Sequence, residues 1–254
     1  MSVKKLIVTA AITLGTIANA QAGVIRIDAS DFTPEAGLIT FSEFAIGTEN
    51  PVYAPGDYGA NPDAPTVSFG GYFVGQSLGD GATCPSGAAL SGCVIGSPTG
   101  LLTLDPASPK TFITHDGANP TSPVLSGTPT FNGAVSIFFD KDVAGVGLDG
   151  GYFNAIGGTA IRAFDRSGNL IGEVSNNSLG IEFLGLVTED SSNMIAGLQF
   201  SLVGSEPAGF AIDNLRFGFG DQVNNPGQQV PEPATIALLG LGLAATSLAR
   251  RKKA

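Results

Sequence analysis

Short apolar runs separated by turn-forming residues fill the chain between positions 23 and 220. The runs are rich in Val, Ile, Phe and Thr, and none repeats with the 3.6-residue period of an amphipathic helix. Runs that predict strands lie at residues 24–27, 38–41, 67–69, 111–113, 135–139, 143–148, 160–164, 170–174, 181–187, 195–203 and 210–217. Strands of this length and spacing are typical of an antiparallel β-sandwich, so we predict an all-β fold with one domain over residues 23–219.

The clearest local signal is a hairpin over residues 161–174. Its turn, residues 165–169, offers Gly168 and Asn169 for the left-handed backbone that a tight connection needs. Two other segments, residues 49–63 and 77–99, are dense in Pro and Gly and long for loops inside a compact domain. We interpret them as functional loops or irregular insertions.

The composition supports strands and turns. Charged residues make up 13% of the chain, about half the usual ~25%, which excludes a coiled coil and a helical bundle with charged faces. The 36 Gly and 16 Pro follow no period, which excludes collagen.

Residues 1–22 have the pattern of a secretory signal peptide. Lys4 and Lys5 precede an apolar run over residues 6–17, and small residues then allow cleavage before Gln21 or Gly23. The run is too short to cross a ~30 Å hydrocarbon core comfortably, so we predict cleavage, with an uncleaved anchor as the alternative.

The other end, residues 230–254, has three parts after a predicted polar linker over residues 220–229. The first is Pro231-Glu232-Pro233, whose prolines keep the backbone extended. An uncharged run over residues 234–249 follows, and it predicts a single transmembrane helix. The last part is basic and predicts a cytoplasmic C-terminus: Arg250, Arg251, Lys252 and Lys253.

This combination of tripeptide, apolar run and basic end resembles the PEP-CTERM sorting signal of exported Gram-negative bacterial proteins. The resemblance implies recognition by an exosortase-type membrane peptidase, transient anchoring in the inner membrane, removal of the tail, and a final place at the cell surface or outside the cell. It also implies association with exopolysaccharide. The residues of the signal would be substrate residues of the peptidase. A plain anchor that is never cut is the alternative.

Two segments of the body, residues 41–53 and 209–217, resemble the first and last strands of many PEP-CTERM ectodomains. Those ectodomains are similar in turn to jelly-roll sandwiches of the carbohydrate-binding-module kind. The resemblance implies a jelly-roll-like sandwich whose first and last strands are neighbours, and it names no substrate.

Without its two ends the body is strongly acidic. Residues 21–230 hold 21 acids and 6 bases, a net charge of about −15. The body has no basic patch, so we do not expect nucleic acid as a partner. Such a charge attracts divalent cations, and it also keeps an exported protein soluble.

The candidate chemistry of the body is sparse. Cys84 and Cys93 lie in one Gly-rich segment of an exported protein and predict a disulfide, which would stabilise the fold by about 2–3 kcal/mol. His115 is the single histidine, and with no nucleophile motif in the sequence it predicts no catalytic role. We therefore expect a non-enzymatic protein.

Two acids fall in phase with apolar neighbours, Glu43 near the first strands and Asp213 on the last. A carboxylate on a core face needs a partner, a metal ion or a bulge. If these strands are neighbours, the two carboxylates are candidate ligands of a structural calcium ion. Pairing with Arg216 or a β-bulge is the alternative.

Tyr53 and Tyr58 lie in one segment that is predicted to be exposed. Aromatic rings on a surface suit saccharide binding, although turn and rim tyrosines are common without it. The leading hypothesis is an exported structural or interaction protein of the cell surface or extracellular matrix. A carbohydrate-binding module with these tyrosines and residues 77–99 at its site is the second hypothesis, and an extracellular hydrolase is the third.

Overall fold

The computed structural model describes residues 23–228 and is all-β. Three short 310 turns interrupt the strands, at Ala29–Asp31, Pro55–Tyr58 and Leu90–Gly92. The strands are β1 (Val24–Arg26), β2 (Gly37–Ile39), β3 (Val52–Tyr53), β4 (Val67–Gly70), β5 (Ser77–Leu78), β6 (Val94–Ile95), β7 (Thr111–Thr114), β8 (Val124–Gly127), β9 (Val135–Val143), β10 (Gly145–Phe153), β11 (Thr159–Phe164), β12 (Leu170–Ser175), β13 (Gly180–Thr188), β14 (Ile195–Leu202) and β15 (Ala211–Gly218).

The strands form two large antiparallel sheets. The first has the order β1-β13-β10-β15-β8-β7, and β2 also pairs with β15. The second has the order β12-β11-β14-β9-β4-β3. This arrangement agrees with the predicted antiparallel, jelly-roll-like sandwich.

The core lies between the two sheets. Strand β7 shows the alternation that places one face inward, and β14 is buried along its whole length. Aromatic rings fill the centre: Phe139, Phe153, Phe200, Phe210 and Phe217 are all at most 1% exposed. Each such ring removes a large apolar area from water and stabilises the fold by about 1.5–3 kcal/mol.

The predicted hairpin is confirmed with its register. Strands β11 and β12 are antiparallel neighbours, and Ile161 lies opposite Val174. In the turn, Oδ1 of Asp165 accepts hydrogen bonds from the backbone N–H groups of Ser167 and Asn169, both at 2.8 Å. Gly168 takes the left-handed backbone, with φ of +81°, but Asn169 does not, so that part of the turn prediction is wrong.

The predicted pairing of residues 41–53 with residues 209–217 is wrong, because β3 pairs with β4 in the second sheet. Strand β15 pairs instead with β2, where Ile39 lies opposite Leu215. The segment that resembled a first strand, residues 41–53, is different. Strand β2 ends before it, at Ile39, and Phe41 turns the chain with φ of +57°. Only Val52–Tyr53 of that segment is a strand.

The disulfide between Cys84 and Cys93 is confirmed, with the two Cα atoms 6.1 Å apart. It lies beside the small two-stranded sheet of β5 and β6, where Gly79 donates to the carbonyl of Cys93 at 2.9 Å. The Gly-rich segment around it is therefore a cross-linked unit and not an open loop.

The expected polar linker, residues 220–229, is bound to the sandwich over its described part. Val223 is 5% exposed and forms an isolated β-bridge with Phe32. The side-chain amide of Asn225 donates to the carbonyls of Thr188 and Glu189. The linker prediction is wrong for these residues because an apolar side chain and an amide provide contacts that a free linker lacks.

The predicted signal peptide (residues 1–22), the predicted transmembrane helix and the sorting signal (residues 230–254) lie outside the described residues. Within residues 23–228, no helix has the length and apolar character to cross a membrane.

Candidate functional site

A polar cleft opens where the segment before β2, the segment after Tyr58 and the end of β15 meet. It consists of two adjoining hollows of about 700 and 170 Å³, and both are lined by Glu35, Asn61 and Gln222. A volume in this range suits a small ligand or a few sugar units.

Internal hydrogen bonds hold the cleft walls. Gln222 donates to the carbonyl of Glu35 at 3.1 Å and accepts from the N–H of Phe219 at 2.9 Å. The oxygen of the Asn61 side chain accepts from the N–H of Asp63 at 3.0 Å. Oγ1 of Thr33 is buried at the wall and has no hydrogen-bond partner within residues 23–228. The walls of the cleft are therefore held in place by their own hydrogen bonds.

Tyr58 lines the larger hollow with a fixed ring. Its 310 turn ends at Gly59, whose φ of +72° suits glycine. The Tyr58 hydroxyl donates to the carbonyl of Pro65, and the ring packs edge-on against Phe217 with centroids 5.4 Å apart. Burial, with a smaller contribution from Asp140, raises the pKa of Tyr58 well above its usual range. The hydroxyl stays protonated, and the ring is the part that meets the cleft.

Tyr53 has a different environment. It is fully buried and contacts Phe41, Phe44 and Phe69, with ring centroids 6.1, 4.6 and 5.9 Å away. Burial first, and the nearby carboxylate of Glu43 second, raise its pKa far above the ordinary value. The prediction that both tyrosines are exposed is wrong for Tyr53, because this ring fills the core and offers no face to a sugar.

The cleft is acidic. Glu35, Asp63 and Asp221 line it, and none of them forms an ion pair within the part of the chain that the structure describes. Two basic residues lie near the cleft: Lys141 donates to the backbone carbonyl of Asp63 at 2.8 Å, and Arg216 lies opposite the lining residue Leu38. Such a cleft disfavours anionic ligands and favours neutral, hydroxyl-rich or amine-bearing ones.

Glu43 and Asp213, the predicted calcium ligands, have separate partners. Oε1 of Glu43 accepts from the N–H and the hydroxyl of Thr40, both at 2.9 Å, and Oε2 is buried without a partner in the described chain. Across residues 23–228 no group of three or more His, Cys, Asp and Glu side chains is arranged to hold a metal ion. Calcium at Glu43 and Asp213 stays a prediction, and an unchanged melting temperature in millimolar calcium would contradict it.

Asp213 lies on β15 directly opposite Asp149 of β10 and is fully buried. Its carboxylate accepts from the Thr121 hydroxyl, from the N–H of Asn214 at 2.7 Å and from the Asn119 amide at 3.3 Å. Asn214, with φ of +47°, forms the β-bulge that was the alternative to calcium at this position.

Asp213 also makes the stability of the fold depend on pH. Burial, partly opposed by the hydrogen bonds from Thr121 and Asn214, raises the pKa of Asp213 from 3.8 to about 6. The folded state therefore binds a proton that the unfolded state has lost, so this group stabilises the fold at low pH and loses that contribution as pH rises towards 6. Acidification from about pH 7 to 5 is expected to regain about 1 kcal/mol through Asp213.

The measurement is urea unfolding at both pH values for the wild type and for Asp213→Asn. The carboxylates distant from Asp213 titrate alike in both proteins, so the difference between the two proteins reports on Asp213 together with its neighbour Asp149. An equal pH response in the two proteins would contradict the assignment.

His115 is exposed at the start of the loop that follows β7. Its Nδ1 lies 3.2 Å from the hydroxyl of Ser122, and Oδ1 of the neighbouring Asp116 accepts from the N–H of Ala118. The Asp116 carboxylate thus caps its own turn.

The remaining predicted site is the C-terminal signal, and here a known family matches. The PEP-CTERM protein-sorting motif matches residues 229–253, which include Pro231, Glu232 and Pro233. The predicted resemblance is confirmed. The chain carries the sorting signal that exosortase recognises, and it is an exported protein with a transient membrane anchor at its C-terminal region.

The other comparisons add little. No curated protein matches the sequence. The crystal structure of the enzymatically active domain of tailspike protein 4 from bacteriophage CBA120 is similar at 21% identity, over 42% of this chain and 17% of the phage chain, with a TM-score of 0.25. A likeness this weak carries no argument about fold or activity.

Proposed function

We propose that this protein is a non-enzymatic structural or interaction protein of the cell surface or extracellular matrix, associated with the exopolysaccharide of the cell that exports it. The observation that carries the proposal is the sorting motif over residues 229–253. After an exosortase-type peptidase removes the tail, the β-sandwich is the part that acts outside the cell.

The body has properties that suit this setting. A disulfide between Cys84 and Cys93 is stable in an oxidising compartment. Four of the six basic residues of the body pair with carboxylates, in Arg26–Glu182, Lys110–Glu49, Arg162–Glu173 and Arg166–Asp142. The surface therefore stays net negative, which keeps the protein soluble and disfavours anionic polymers.

A second candidate function, carbohydrate binding by the sandwich itself, is favoured by the cleft at Tyr58. The fixed ring supplies an apolar face, and Asn61, Glu35 and Asp221 supply amide and carboxylate groups for sugar hydroxyls. This candidate saccharide site keeps Tyr58 from the predicted pair and drops Tyr53, because Tyr53 is buried in the core.

An array of neutral, amine-bearing and uronate-bearing oligosaccharides tests the second candidate. The exported protein is expected to bind the first two classes and to reject the uronates. The variant Asn61→Ala is expected to weaken binding by about tenfold through loss of one hydrogen-bonding side chain. The matched control is Asn177→Ala, because Asn177 is exposed, does not line the cleft and makes no side-chain hydrogen bond within the described chain.

Two outcomes would decide against this role of the cleft. One is the absence of binding to every saccharide class, and the other is equal binding by the two variants. Retention of the protein in an exopolysaccharide pull-down despite these results would leave the leading function in place, with contacts elsewhere on the sandwich.

A further inference from the structure

The two ends of the folded body lie together at Glu189, in the connection after β13. The N–H of Glu189 donates to the carbonyl of Gly23, the first described residue, at 3.0 Å. Its own carbonyl accepts from the side-chain amide of Asn225 at 2.9 Å. The described chain therefore begins and approaches its last residues at one place on the sandwich.

A short segment, residues 223–227, binds this end firmly, and we name it the C-terminal clasp. Val223 is buried in a small apolar cluster with Ile27, Phe32 and Val187. The N–H of Asn224 donates to the carbonyl of Asp31 at 2.7 Å.

Asn225 is the centre of the clasp. Its side-chain amide donates to the carbonyl of Thr188 at 3.0 Å, to the carbonyl of Glu189 at 2.9 Å and to Oγ of Ser191 at 3.1 Å. Its side-chain oxygen accepts from the N–H of Gly227 at 2.9 Å. One side chain thus ties the segment to the body.

The sorting motif begins very close to this clasp. Pro231 is three positions beyond Gln228, so even a fully extended chain separates them by only ~10 Å. The apolar run begins at Ala234, six positions beyond Gln228, which sets a limit of ~20 Å between the folded body and the start of the membrane segment. A membrane enzyme that binds the tripeptide must therefore lie directly beside the end of the sandwich at Glu189.

We propose that the C-terminal clasp acts as a brake on removal of the tail: the peptidase gains enough extended chain around the tripeptide only when the clasp opens. The inference rests on the proposed function, in which the tail is removed by hydrolysis of one peptide bond. Water adds a hydroxyl group to the carbonyl carbon, which becomes the new carboxylate, and a proton to the nitrogen, which becomes the new amine. Recognition clefts commonly bind peptides as extended strands of several residues, and only Gln229 and Val230 lie between the described body and the tripeptide. Opening of the clasp is a local unfolding step that leaves the two sheets intact.

The test follows tail removal by pulse-chase of the full-length chain in the bacterium that produces it, with mass spectrometry of the product. Asn225→Ala is expected to speed tail removal about three- to tenfold, because the clasp then opens more often. Asn224→Ala is the matched control, since the Asn224 side chain is exposed and makes no hydrogen bond within residues 23–228. It is expected to leave the rate unchanged.

A second variant keeps every residue of the clasp. Insertion of about six Gly and Ser residues between Gln228 and Gln229 supplies ~20 Å of extra chain and is expected to speed tail removal on its own. In this lengthened chain Asn225→Ala is expected to add nothing.

The inference is overturned if the insertion leaves the rate unchanged or slows it, or if Asn225→Ala has the same effect in both backgrounds. Failure of the proposed processing looks different, because the wild type and every variant then keep the tail at its full mass. The melting temperature of each exported body confirms that the sheets are intact.

Discussion

Truncation of Phe217 to alanine is expected to lower the free energy of unfolding by about 3–5 kcal/mol. Phe217 is 1% exposed and connects the core to the cleft, with ring centroids 5.2 Å from Phe139 and 5.4 Å from Tyr58. Its ring also lies against Gly37 of β2, which has no side chain to fill the space. The surrounding backbone therefore cannot readily close the cavity that Phe217→Ala would leave. The loss corresponds to a fall of about 10 °C in the melting temperature of a domain of this size.

Leu101→Ala is the control for Phe217→Ala. Leu101 is 74% exposed, so removal of its side chain is expected to change the free energy of unfolding by less than about 0.5 kcal/mol. Urea unfolding of the two variants gives both values. A loss below about 1 kcal/mol for Phe217→Ala would contradict the packing of the Phe217 ring in the core between the sheets.

Replacement of Pro231, Glu232 and Pro233 by alanine is expected to block tail removal. These residues lie within the matched sorting motif, and an enzyme that reads a short motif loses most of its binding and reactivity when the motif is erased. The processed form is expected to fall at least about tenfold, and the full-length chain is expected to accumulate in the membrane fraction.

The control for this triple variant is Gln228→Ala, one position before the matched residues. It is expected to be processed like the wild type. The interpretation fails if the triple variant loses its tail at the normal rate, because the tripeptide would then have no part in recognition.

Most of the fold could be predicted from the sequence because its strands are long enough to show a pattern. Each of the eleven predicted runs overlaps at least one strand of the structure. The strands that escaped prediction are β3, β5 and β6, with two residues each, and β8. Two residues cannot display an alternation, and β8 ends in Ser126 and Gly127, which are typical of turns.

The cleft could not be predicted because it depends on tertiary placement. Its walls come from three segments that are distant along the chain, near Glu35, Asn61 and Gln222, and no local pattern connects them. The same limit explains the error at Tyr53, whose neighbours in sequence, Val52 and Ala54, are exposed while its neighbours in space are the buried Phe41 and Phe69.

At Asp213 and in the predicted linker, the placement of one or two residues changes the interpretation of the sequence. Asp213 has the phase of a core residue in a regular strand, and the bulge at Asn214 shifts that phase. In the predicted linker, Val223 was the residue that could have signalled attachment, because it is the single aliphatic side chain of that segment. Asn225 gave no such signal, since the exposed Asn224 beside it is of the same residue type.

The central claim is that both ends of the chain are removable address signals and that the β-sandwich between them works outside the cell. Intact-mass measurement of the protein recovered from the cell surface and medium tests it most directly. The account predicts a chain that begins at Gln21 or Gly23, ends before the basic residues Arg250–Lys253, and weighs two hydrogens less than its reduced form because Cys84 and Cys93 are bonded. A chain with Met1 and Ala254 both present, found in the cytosol with free thiols, would contradict it.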